Sequence, residues 1–223
     1  MTFVFRRLIV GRFRFAAAFT GAVALLAFGL AAGISSGAAS VEKLPLNWHP
    51  QSGNAGPVGD EAIAQIVRTD NGISYQIRAR DLMPGHAYTV WFAVVNHPEE
   101  CNDSPCAAPD ALANPDTGIQ VAWAGGGIAG PSGTLGFGGS FRVGEISDGW
   151  FPGRGLSEPM TGEVHLVLND HGPVIPELRA EMKSTYRGGC TDESLPPFFP
   201  DSAKSDGTPG PNTCRLYQVV IFQ

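Results

Sequence analysis

Asp70-Asn71-Gly72-Ile73-Ser74-Tyr75-Gln76-Ile77-Arg78-Ala79-Arg80 reads as a tight turn feeding a strand with one buried face and one wet face. Asn and Gly tolerate the positive φ that tight hairpins demand. Beyond them Ile73, Tyr75, Ile77 and Ala79 alternate with Ser74, Gln76, Arg78 and Arg80, a period of two that puts successive side chains on opposite faces. Glu61 to Thr69, immediately upstream, is the matching arm of a hairpin.

Downstream, Leu82-Met83-Pro84-Gly85-His86-Ala87-Tyr88 places a Leu, a Pro-Gly turn and then a Tyr at the head of an apolar strand. That spacing fits the tyrosine corner of immunoglobulin-like and fibronectin-like sandwiches, in which the Tyr hydroxyl reaches back to upstream backbone. Pro84, Gly85 and Tyr88 are read as structural on this ground. Tyr88 to Val95 is apolar almost throughout, which predicts a central strand covered on both faces.

Further strands are expected at Ile119 to Ala124, Leu135 to Val143, Glu163 to Asn169 and Arg215 to Phe222. Gly136, Gly138 and Gly139 thin the second of these, as at a bulge or a close backbone approach. Two long loops separate strands: Asn96 to Thr117, with Pro98, Pro105, Pro109 and Pro115, and Gly188 to Asn212. Glu177 to Tyr186 fits either a short helix or an extended segment. Val41 to Asp60 carries Pro45, Pro50 and Pro57 and reads as an irregular lead-in. Many short strands with Gly/Pro turns and no helical period predict an all-β chain, a single antiparallel β-sandwich over residues 61–223 with long disulfide-tied loops.

The first 40 residues read as a secretory signal peptide. Arg6, Arg7, Arg12 and Arg14 form a basic start, Phe15 to Ile34 is apolar or small, and Ser35 to Ser40 is a small-residue cleavage zone. Arg6-Arg7 leaves the general secretory and twin-arginine routes both open. The expected location is therefore outside the cytoplasm, in the periplasm or beyond the cell. All 21 acidic residues follow the leader but only 11 of the 15 basic ones do. Such an acidic remainder repels phosphate backbones and anionic membrane surfaces. No nucleic-acid partner, and no membrane partner after leader cleavage, is expected.

Four cysteines, Cys101, Cys106, Cys190 and Cys214, all lie in the exported part. In an oxidising compartment an even set reads as disulfides, here one of three connectivities. The pairing Cys101–Cys106 and Cys190–Cys214 is preferred because each pair brackets one Pro/Asp/Ser-rich loop. The C-x-x-C spacing usual in metal sites is absent.

Gly125-Gly126-Gly127-Ile128-Ala129-Gly130 matches G-x-G-x-x-G. A dinucleotide fingerprint needs a helix to open after it, and here Pro131-Ser132-Gly133 and a strand follow, so the run reads as a glycine-rich strand and turn. Beyond the leader there is no G-x-S-x-G string and no H-E-x-x-H. Asn102-Asp103-Ser104 fits the N-glycosylation pattern. Within Glu163-Val164-His165-Leu166-Val167-Leu168-Asn169-Asp170-His171, His165 falls on the face opposite Val164 and Leu166, while Asp170 and His171 fall at the expected strand end. Two imidazoles and a carboxylate suit copper or zinc. His165, Asp170 and His171 are therefore the candidate metal ligands, with His86 or His97 as a further donor.

Two segments together resemble a family of uncharacterised exported bacterial proteins. One is Pro84-Gly85-His86-Ala87-Tyr88-Thr89-Val90-Trp91-Phe92 running on to Asn96 and Cys101. The other is Glu163-Val164-His165-Leu166-Val167-Leu168 with His171-Gly172-Pro173 and Cys190. The second is also similar to the "HxH…GP" stretch of CHRD-type extracellular β-domains, with a single His here between Val164 and Leu166. The resemblance implies export, two disulfides and a β-domain, and it carries no catalytic residue. The function expected is that of an exported, non-enzymatic binding or structural protein whose long loops are contact surfaces. The alternative is a copper- or zinc-binding protein or metalloenzyme built on the strand-end histidines.

Overall fold

The Asp70–Gly72 turn seeds a four-stranded antiparallel sheet. A computed structural model describes residues 39–223; the expected leader, apart from its last two positions, lies outside the described residues. In chain order the sheet comprises β1 (Ala39–Pro45), β3 (Ile63–Thr69), β4 (Gly72–Ala79) and β7 (Leu135–Arg142), with spatial order β1-β3-β4-β7. Thr69 pairs with Gly72 across the hairpin. Asp70 and Asn71 keep negative φ, and Gly72 alone takes the unusual value, 151°. A Cβ at Gly72 would collide with the Phe141 carbonyl of β7, so this glycine serves strand packing as well as the turn.

The second sheet has five strands in the order β2 (Asn47–Trp48), β11 (Arg215–Phe222), β10 (Glu163–Pro173), β5 (His86–Val95) and β6 (Gln120–Ile128). Every neighbouring pair is antiparallel. The sheets pack face to face. Ile66, Ile73, Tyr75 and Ile77 of the first meet Val90, Phe92, Leu166 and Phe222 of the second in one buried core. Each large apolar side chain fully buried there contributes about 1.5–3 kcal/mol. A two-stranded ribbon of β8 (Gly144–Glu145) and β9 (Gly155–Leu156), and the short helices α1 (Ala108–Ala113) and α2 (Asp201–Lys204), lie in the connections. No helix among the described residues is long and apolar enough to cross a membrane.

The tyrosine corner is formed: the Tyr88 hydroxyl accepts a hydrogen bond from the Met83 N–H at 2.9 Å. Both disulfides form with the preferred pairing, Cys101–Cys106 and Cys190–Cys214. Two such bridges fit an oxidising, non-cytoplasmic location.

Three expectations are corrected. The stretch read as an irregular lead-in, Val41 to Asp60, holds all of β1 but its first two residues, which fall in the expected leader; β1 pairs with β3 from Ala39↔Thr69 to Pro45↔Ile63. Its side chains are mostly exposed, Val41 among them at 63%. Backbone pairing rather than an apolar face makes this strand, so no periodicity announces it. Pro45 is tolerated because it sits at the end of an edge strand, and the chain then crosses to the other sheet at the buried Leu46. Next, β10 runs on to Pro173, past the expected end at Asn169. A register shift between Asp170 and Pro173 lets it continue pairing with β5. Lastly, Glu177 to Tyr186 is neither a regular helix nor a strand; it holds two 3-10 turns, Pro176–Leu178 and Glu181–Lys183.

The second of these turns accounts for the glycine run. A Cβ on Gly126 would overlap the Lys183 carbonyl, and Trp123 Nε1 donates to that same carbonyl at 2.9 Å. The run is a place of close backbone approach within β6.

Candidate binding cavity on the outer sheet face

The five-stranded sheet is apolar on both faces. Its inner face carries Val90, Phe92, Leu166 and Val220, and alternation sends Trp91, Val95 and Val167 to the outer face. That second face needs its own cover. The loops supply it: Trp150, Tyr186, Leu195 and Phe199 pack down onto Trp91 and Val121 in a separate buried cluster. Trp91, Trp150, Tyr186 and Phe199 meet edge-on or tilted, with ring centroids 5.0–5.4 Å apart, the arrangement aromatic quadrupoles favour. The cover does not fill the space beneath it. An apolar cavity of about 250 Å³ remains, with Trp91, Val167 and Ile221 on its sheet side and Leu112, Trp150 and Phe199 on its loop side.

Two imidazoles also line this cavity, His49 and His165. His165 stands opposite Ala93 of β5 and Ile221 of β11. Its Nε2 is 2.6 Å from Oε1 of Glu163, a carboxylate only 3% exposed. Glu163 also accepts from the Cys106 N–H at 2.8 Å and from Gln223 Nε2 at 3.3 Å. Burial pushes the Glu163 carboxyl up, but the hydrogen bond and positive charge of His165, with those two further donors, outweigh it and hold the group below the usual carboxylate range. An ionised Glu163 keeps the His165 proton on Nε2. In the neutral ring the other nitrogen, Nδ1, which makes no hydrogen bond among the described residues, is a lone-pair acceptor. His49 Nδ1 accepts from the Gln51 N–H at 3.2 Å, and burial lowers its pKa.

The three candidate metal ligands do not converge. His165 is separated from Asp170 and His171 by five and six positions of extended strand, roughly 17–20 Å. Asp170 is buried, and its Oδ1 accepts from His86 Nδ1 and from the Gly172 N–H, both at 2.9 Å. Arg215 Nη2 lies 3.6 Å from its other oxygen. This carboxylate ties the irregular end of β10 to β5. His171 is fully buried inside the sheet rather than in a loop. Its Nδ1 donates to the Gly188 carbonyl at 2.9 Å, and its Nε2 accepts from Thr89 Oγ1 at 2.8 Å. Thr89 Oγ1 in turn accepts from Trp91 Nε1 at 2.9 Å. Burial lowers the His171 pKa to about 4, against the opposing pull of the Gly188 bond and the Asp170 charge.

Among the described residues, His171, Cys190 and Cys214 form the one close group of metal-ligating residue types. Both sulfurs there are bound to each other, so no thiolate is free to ligate. His97 lies apart, facing Glu99 at 3.5 Å.

Glu163, hydrogen-bonded to His165, is the residue that a search for histidine pairs passes over. The clue is Glu-x-His within a strand, because residues i and i+2 share a face. The aromatic cover comes from two separate connections, β8–β9 and β10–β11, and no local pattern assembles it. No protein-family model, curated protein or solved structure matches this chain.

Proposed function

We propose that this protein is an exported, non-enzymatic binding protein that holds a small, largely apolar molecule between the outer face of its five-stranded sheet and the loops above. The carrying observation is the cavity itself, an unfilled apolar space of about 250 Å³ walled by aromatic rings. Protein interiors are packed with few voids larger than a water molecule, and a dry cavity of about 150 Å³ already accommodates benzene. Small-molecule sites are typically apolar concavities with a few placed polar groups, and His165 and His49 supply those here. Export is supported by the basic and apolar leader sequence and by the two disulfides. Cleavage after Ala39 would start the mature chain at Ser40, within β1.

Thermal unfolding with ethylbenzene tests the binding reading. At ten times its dissociation constant the ligand raises Tm by about 3–6 °C. Val167→Phe, which fills the cavity from its sheet side, removes the rise. A wild-type Tm that ethylbenzene does not move at saturating concentration overturns the reading. The mass of the intact secreted chain tests export; a mass that retains Phe15 to Ile34 contradicts leader cleavage.

A further inference from the structure

We infer that the molecule bound in the cavity is an uncharged phenol or cyclic alcohol of one or two rings, whose hydroxyl donates to Nδ1 of His165. The inference rests on the binding reading above and adds the ligand's chemical class.

The cavity presents apolar surface almost everywhere; among its lining residues, His165 has an Nδ1 with no protein partner among the described residues, and Trp150 has a buried indole N–H without one. Glu163 holds the opposite nitrogen through a 2.6 Å hydrogen bond, which commits Nδ1 to accepting. The tautomer of an imidazole is set by the bond its other nitrogen makes. The complement of a lone pair is a donor, so at Nδ1 a hydroxyl fits where a carbonyl or ether does not. An anion is disfavoured twice, by the lone pair itself and by the carboxylate behind the ring. A cation is disfavoured by the cost of burying charge in an apolar space. Among the described residues no carboxylate lines the cavity, and Glu163 is engaged by Cys106, His165 and Gln223, so no acid faces an ammonium group. The aromatic rings of the cover pack against one another at 5.0–5.4 Å rather than standing apart as a cage around a cation. About 250 Å³ sets the size, since about 150 Å³ holds a single benzene ring.

The test is calorimetric titration of the full mature protein with 4-ethylphenol, ethylbenzene and protonated benzylamine. Wild type is expected to bind 4-ethylphenol about fivefold to tenfold more tightly than ethylbenzene, the size of one hydrogen bond made inside a protein. In His165→Phe that preference disappears while ethylbenzene still binds. Glu163→Ala removes the acceptor that fixes the proton on Nε2, so the preference shrinks there too; this variant carries the test if His165→Phe does not fold. Equal affinity for the two neutral probes in wild type overturns the inference while leaving the cavity reading intact. So does a preference that survives in His165→Phe or is unchanged in Glu163→Ala, and so does tighter binding of benzylamine. Failure of folded wild type to bind either neutral probe overturns the cavity reading itself.

Discussion

Glu163 and His165 stand two positions apart on one strand and share a 2.6 Å hydrogen bond beneath the Cys101–Cys106 loop. The carboxylate is buried and receives three donors, and the imidazole is turned to leave one nitrogen without a partner at an apolar cavity. The pair joins the sheet, the disulfide loop and the C-terminal Gln223 at one point.

Removing the carboxylate is therefore expected to cost more than changing its charge. Glu163→Ala leaves the Cys106 N–H and His165 Nε2 without an acceptor and destabilises by about 2–3 kcal/mol, read as a shift of the denaturation midpoint. Glu163→Gln keeps an acceptor and costs less. Because the folded pKa of Glu163 lies below its unfolded value, its contribution is complete above the unfolded carboxyl range, about 4.3, and fades as pH falls below it. A Glu163→Gln chain lacks that acid-limb loss.

His171 sets a second pH dependence. Its pKa is lowered to about 4 in the fold and returns to about 6.5 on unfolding. The unfolded chain then binds the extra proton, so the stability due to neutral His171 is whole above pH 6.5 and declines as pH falls towards 4, by about 3 kcal/mol at most. Denaturant titrations at pH 7.5, 5.5 and 4.5 measure it. His171→Gln is expected to be less stable at pH 7.5 but flatter between pH 6.5 and 4.5; an unchanged slope contradicts this account.

Trp91 and Trp150 sit side by side, 5.4 Å between rings, yet their indole nitrogens differ. Trp91 Nε1 donates to Thr89 at the head of the Thr89–His171–Gly188 relay. Trp150 Nε1 is buried with no partner among the described residues. Trp91→Phe is expected to cost about 1–2 kcal/mol more than Trp150→Phe. Trp150→Ala costs about 3–5 kcal/mol because it opens the cover, and it abolishes ethylbenzene binding. Equal costs for the two Phe variants would remove the relay from the argument.

The Cys190–Cys214 bridge closes a span of 24 residues that carries Leu195 and Phe199 of the cover. Replacing both cysteines with Ser is expected to lower stability by about 2–4 kcal/mol. The Cys101–Cys106 bridge spans only five positions and costs less in the same test. Loss of ligand binding should accompany the first replacement, since one wall of the cavity hangs from it.

Much of this architecture was legible in local pattern. The alternation of Ile73, Tyr75 and Ile77, the Asp70–Gly72 turn and the corner at Tyr88 each depend on near neighbours, and each appears where the pattern put it. The cysteine pairing followed from loop bracketing. β1 was hidden because its pairing is a backbone matter with exposed side chains. The histidines misled for a related reason: His171 and Asp170 are spent on holding an irregular strand end together, a role that leaves no mark in spacing. The apolar run from Tyr88 to Val95 did announce a strand covered on both faces. What covers the outer face is three aromatic rings, Trp150, Tyr186 and Phe199, brought from distant loops, and only tertiary structure reveals that their cover is incomplete.

The central claim is that this incomplete cover is a binding site. Crystals soaked in bromobenzene and measured at the bromine absorption edge test it most directly. The account predicts one strong anomalous peak inside the cavity between Trp91, Val167 and Phe199, absent in Val167→Phe. A cavity that stays without bromine, or that is filled by ordered water hydrogen-bonded to His165, would contradict it.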